Sequence, residues 1–140
     1  MIRVLLSSFL LTVQLTALAG ACPTGPQRFL NGHYDPPKGV TAECGPIWKQ
    51  WRYDSTQIHE EHYAWLEMWS VNMARDRNDT PTQIKNLILK AGYTFDLKTK
   101  DTWERIYGGI TYYFTKGSRE HLVVQLFGIG DQLYVVIGSR

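Results

Sequence analysis

Glu104, Arg105, Arg119, Glu120 and His121 are the residues of this chain best suited to chemistry. Gathered on neighbouring strands, such groups can run general acid/base catalysis on a phosphodiester. A carboxylate takes one proton, His121 gives one back, and an arginine steadies the charge that develops. Glu104, Arg119, Glu120 and His121 are therefore the candidate hydrolase site, although charges at strand edges also serve to keep a sheet soluble. A second group, His59-Glu60-Glu61-His62, has the residue types of a metal site. The helical zinc signature needs histidines at i and i+4, whereas these stand three apart, and a third ligand, His33 or His121, would come from far along the chain. No metal or other cofactor is expected. There is no Gly-x-Ser-x-Gly elbow. Gly128-Ile129-Gly130 lacks the following helix that a phosphate cradle requires. Asn78-Asp79-Thr80 matches an N-glycosylation acceptor, with Thr80 also suited to capping a helix.

The charged residues of the first set lie in a run of expected β-hairpins from Trp103 to Gly138. Its three segments, Trp103 to Thr115, Arg119 to Ile129 and Gln132 to Gly138, are rich in β-branched and aromatic residues. Gly130-Asp131 as a two-residue turn sets Leu126 opposite Val135 and Val124 opposite Ile137. Leu122, Val124, Leu126, Leu133, Val135 and Ile137 then share one face, since side chains alternate along a strand. A three-residue loop from Lys116 to Ser118 pairs Phe114 with Glu120 and adds Ile110, Tyr112 and Phe114 to that face. The opposite face carries Tyr113, His121, Val123, Phe127, Tyr134 and Val136. It is more apolar than a solvated antiparallel face should be.

Ahead of the hairpins, the pattern predicts a helix from Ser55 or Thr56 to about Arg75, with Ile58, His62, Trp65, Leu66, Trp69 and Met73 along one side. A second helix is expected from Thr80, with Thr80 as N-cap, Pro81 at N1 and Gln83 at N3 forming a capping box, and Gly92 as its left-handed stop. Tyr93 to Leu97 reads as a short first strand. Between Pro23 and Pro46 the density of Pro and Gly predicts an irregular arm. Pro46 can start a helical turn in which Trp48 and Trp51 share a side. The expected fold is α+β: two helices on one face of a three- to four-stranded antiparallel C-terminal meander, with a disulfide-stapled N-terminal arm. Residues 22–54 form the arm and 55–140 the helix-helix-meander unit, together one domain. In order and size, and in placing such charged groups on a meander behind helices, this resembles small secreted ribonucleases; the likeness extends to architecture alone, with no shared motif, and fold does not carry function.

Residues 1–21 have one charge, Arg3, then the apolar run Val4 to Leu11 and the small residues Ala19-Gly20-Ala21. These are the three regions of a secretory signal peptide, too short for a lasting membrane span. Removing them from 140 residues leaves 119, about the size of one domain. The remaining charges nearly balance, which argues against nucleic acid or an anionic membrane bound by bulk charge. Export makes a Cys22–Cys44 disulfide the simplest use of the two cysteines. In the competing reading Cys22 is a lipidated first residue; Ala19 then sits where lipobox patterns prefer Leu.

All five Trp, all eight Tyr and four of the five Phe lie in the mature chain, and aromatics dominate both cores and interfaces. If both helices cover the same face, the other is left for a ligand or partner. The leading expectation is an exported, non-enzymatic binding or inhibitor-like module, secreted or periplasmic, using Tyr113, Val123, Phe127, Tyr134, Trp48 and Trp51 against a protein. The alternative is the small hydrolase, and a glycan surface built on exposed Trp is a weaker third.

Overall fold

The computed structural model describes residues 28–99 and 109–140, with side chains for 28–96 and 109–140. Six strands form one antiparallel sheet: β1 (Val40–Ala42), β2 (Trp65–Asn72), β3 (Thr94–Thr99), β4 (Ile110–Lys116), β5 (Glu120–Ile129) and β6 (Gln132–Ser139). Their spatial order is β1-β2-β6-β5-β4-β3. A short turn, α1 (Phe29–Gly32), precedes β1. Helix α2 (Pro46–Tyr53), continued by a π-helical turn at Asp54–Ile58, lies between β1 and β2, and α3 (Thr80–Lys90) links β2 to β3. The α+β class is as expected, with a larger sheet and a different assignment of helices.

The hairpin chemistry carries through to register. Leu126 pairs with Val135 and Val124 with Ile137, and Gly130 takes φ +59° at the first central position of the turn, where a II′ turn requires glycine. The β4–β5 loop is Gly117-Ser118-Arg119, pairing Lys116 with Glu120 and Phe114 with Leu122. The expected Phe114–Glu120 pair is therefore displaced by two residues. A shift of two preserves side-chain parity, so Ile110, Tyr112 and Phe114 still join the Leu122 face.

The helix expected from Ser55 to Arg75 is not formed. Helical structure stops at Ile58, and Trp65–Asn72 is strand β2, paired with β6 through Trp69–Val135 and Val71–Leu133. Both faces of β2 are apolar: Trp65, Trp69 and Val71 point one way, Leu66 and Met68 the other. A strand buried on both sides loses the polar alternation that identifies strands, and its apolar run then also fits a helical stripe.

Of the two helices expected on one face only α3 is formed, and α2, which begins at the Pro46 turn expected within the arm, packs on the other face. On the first, Ile84 and Ile88 of α3 and Phe29 and Leu30 of α1 pack on Trp69, Val71, Leu122, Val124, Val135 and Ile137. On the second, Trp48 and Trp51 of α2 pack on Met68, Phe127, Tyr134 and Val136. Pro46 stands at the start of α2 as expected, and the two indoles stack with centroids 6.3 Å apart. Helix α3 also begins differently. Its N-cap is Asp79, in the left-handed region, and makes no capping bond through its side chain. Asp76 does that work: its carboxylate accepts from the Thr80 N–H at 2.9 Å, the Thr80 hydroxyl at 2.8 Å and the Asn78 N–H at 3.0 Å. Gly92, at φ +91°, is the expected left-handed stop.

No free cysteine occurs among the described residues. Cys22 and the proposed signal segment lie outside them. No helix among the described residues is long and apolar enough to cross a membrane.

Candidate functional site

The aromatic face expected to be open is closed by α2. Trp48, Trp51, Val123, Phe127 and Tyr134 are all buried, and Tyr113 is half-buried. Trp48, Trp51, Phe127 and Tyr134 form a core with Met68 and Val136: Phe127 stacks on Tyr134 at 5.2 Å, and the Trp51 indole N–H donates to the buried Gln125 side chain at 3.0 Å. Such a cluster is a packing unit with its polar atoms satisfied.

The charged set is split. Glu104 lies outside the described residues. Arg119 sits in the β4–β5 loop, while Glu120 and His121 are consecutive on β5 and so point to opposite faces. Glu120 and His121 are exposed, and the fold does not turn them toward one substrate bond. His59 and His62 are also exposed, in the segment after the π-helical turn and not on a helix. No cluster of three metal-ligating side chains occurs among the described residues.

Two polar centres went unread in the sequence. Glu61 accepts from Ser55 at 2.7 Å and from the Tyr63 hydroxyl, and pairs with Arg140 at 2.7 Å. Burial, helped by the neighbouring Glu61 carboxylate, pushes the Tyr63 phenol up to about 12. This network ties the loop before β2 to the end of β6. The other centre is Glu67, on the α3 face of β2. Leu30 and Asn31 both adopt left-handed backbone, at φ +51° and +53°, and their N–H groups donate to the two Glu67 oxygens at 2.8 and 3.0 Å. Successive N–H groups in such a turn form an anion-binding concavity, which here is filled from within. Burial raises the Glu67 carboxyl above its ordinary range; the two N–H groups and the nearby Trp69 indole, which does not close a hydrogen bond, only partly offset it.

A concave feature lies on the same face, between α3 and the β3–β5 side of the sheet. Six strands at about 4.8 Å spacing make a sheet about 25 Å wide, whereas a helix with its side chains is about 10 Å across. Helix α3 and the α1 turn cannot cover that width between them. A groove of about 300 Å³ remains, walled by Ile84 and Ile88 of α3 and by Tyr112, Phe114 and Leu126 of the sheet. Phe95 of β3 closes its outer side edge-on to Phe114 at 5.6 Å and is 48% exposed, a large apolar surface to leave in water. The lining includes one charged side chain, Lys85, and no carboxylate among the described residues. An apolar cavity with a few placed polar groups is the usual form of a small-molecule site.

The chain matches no protein-family profile, and comparison with curated proteins and with solved structures finds no match. Function therefore rests on the geometry.

Proposed function

We propose that this chain is an exported, non-enzymatic binding module that holds a small amphiphile, an apolar chain or ring with an anionic end, in the groove between α3 and strands β3–β5. The observation that carries the reading is the lining: aromatic and aliphatic walls with Lys85 as their one charge among the described residues. Apolar surface supplies affinity in proportion to the area removed from water, and the ammonium selects an acid over a neutral head group. Export rests on the signal-peptide pattern of residues 1–21. A protein-binding role through the second sheet face loses its support because α2 occupies that face, and the hydrolase reading loses its own because Glu120 and His121 diverge.

Decanoate and decanol are suitable probes. Titration followed by NMR should give saturable shifts at Phe95, Tyr112 and Phe114 with both. Lys85→Glu, an exposed substitution, should weaken decanoate about fivefold, or about 1 kcal/mol, and alter decanol by less than twofold. Absence of saturable shifts with either probe would end the proposal.

A further inference from the structure

A second concavity, of about 490 Å³, opens near the C-terminal end of α3, between the α1 turn and the opposite end of the sheet. Its walls include Asn31, Tyr34, Trp65, Tyr93, Lys116 and Glu120. The three aromatic side chains are half-buried, so each keeps part of a ring accessible. The polar groups are already organised. Tyr93 donates its hydroxyl to Glu120 at 3.3 Å, the Lys116 ammonium lies 5.6 Å from the centre of the Tyr93 ring, and Lys116 and Glu120 are cross-strand partners. One positive and one negative side chain thus stand side by side in one wall.

We infer that this cleft binds a neutral polyhydroxylated ring, one sugar unit of an oligosaccharide. Charge in the wall is compensated locally, so a ligand with net charge gains little there. The remaining chemistry suits a sugar. Rigid aromatic surfaces offer a bed for the C–H face of a pyranose at low entropic cost. The lining also offers the Asn31 amide, which both donates and accepts, the Glu120 carboxylate as acceptor and the Lys116 ammonium as donor, the kinds of group that sugar hydroxyls bond. The cleft shares no lining residue with the Lys85 groove, so the two sites stand or fall separately.

The test is calorimetric titration of the whole mature chain with cellotriose, maltotriose and triacetylchitotriose, each to about 10 mM, followed in parallel by tryptophan emission. At least one should bind saturably and shift the emission. Glu120→Ala, at an exposed position, should weaken that binding about tenfold, which corresponds to one decade of Kd, and Lys85→Glu should leave it unchanged. Asn31→Gly, which tolerates the left-handed backbone while removing the amide, should weaken it as well. No saturable binding by any of the three, undiminished binding by Glu120→Ala and Asn31→Gly, or tighter binding of trigalacturonate than of every neutral trisaccharide would overturn the inference.

Discussion

Glu67 is the residue whose role depends most on its surroundings. It stands on an otherwise apolar strand face and fills the concavity made by the Leu30 and Asn31 N–H groups. Because burial raises its folded-state pKa, the folded chain holds this proton more tightly than the unfolded chain does. Its contribution to stability is therefore greatest below the ordinary carboxylate range and falls as pH rises from there through the raised value, then stays level. Denaturant unfolding between about pH 4 and pH 7 should show this decline, and Glu67→Gln should flatten it. The sequence holds a signal for Glu67, a lone carboxylate in the alternation Trp65, Glu67, Trp69, Val71, but it is visible only once the segment is known to be a strand. Gly138 illustrates the tightest packing. A Cβ there would lie 2.6 Å from Tyr63 and 2.8 Å from Leu66, so the ring of Tyr63 depends on bare backbone beneath it. Gly138→Ala should cost about 1–3 kcal/mol in equilibrium unfolding and bring the Tyr63 phenol titration down from about 12 as its burial loosens.

Among the elements, α3 decides most. It provides a wall of the Lys85 groove, and its start is held by Asp76. The Thr80 N–H, followed by that of Asn78, holds the Asp76 carboxyl below its ordinary range. This is the opposite sign to Glu67. The Asp76 contribution is present above the ordinary carboxylate pKa and is lost as pH falls through the lowered value. Asp76→Ala should lower the unfolding midpoint at neutral pH, and the difference from the parent should vanish in strong acid, where both lack the charge. An equal difference at both pH values would assign the effect to lost packing. The existence and end of α3 were legible in Thr80-Pro81, the Ile84–Ile88 stripe and Gly92, since those signals are local. Its true cap was not, because Asp76 reaches forward four residues through a bend that no residue pattern marks. Strand β2 was lost for a different reason: apolar residues on both of its faces erase the period that separates strand from helix.

For the molecule as a whole, one sheet with a helix on each face makes two cores, one under α3 and one under α2. The arm is thereby integral to the fold, and a Cys22–Cys44 bond would tether its start to the segment following β1. We predict that, if the chain is exported, cleavage after Ala21 leaves Cys22 as the first residue, paired with Cys44. Intact mass should rise by two hydrogens on reduction, and reduction should lower stability by about 2–4 kcal/mol, as expected for a loop of this size. An acyl mass on Cys22 would decide for the lipoprotein alternative. By itself the sequence determined what short-range physics controls: the β5–β6 register through Gly130, the parity of Phe114 through its loop length, the α3 stripe, the Pro46 start with Trp48 and Trp51 on one side, and the near-balanced charge. Only the tertiary structure decided which surfaces meet. That α2 and not solvent or a partner covers Phe127 and Tyr134, that β2 pairs with β6 across an intervening helix and three strands, and that a groove survives beside α3 all depend on contacts between segments far apart in the chain. Local periodicity holds no record of such contacts, because a buried aromatic and a binding aromatic have the same sequence and differ only in what is packed against them.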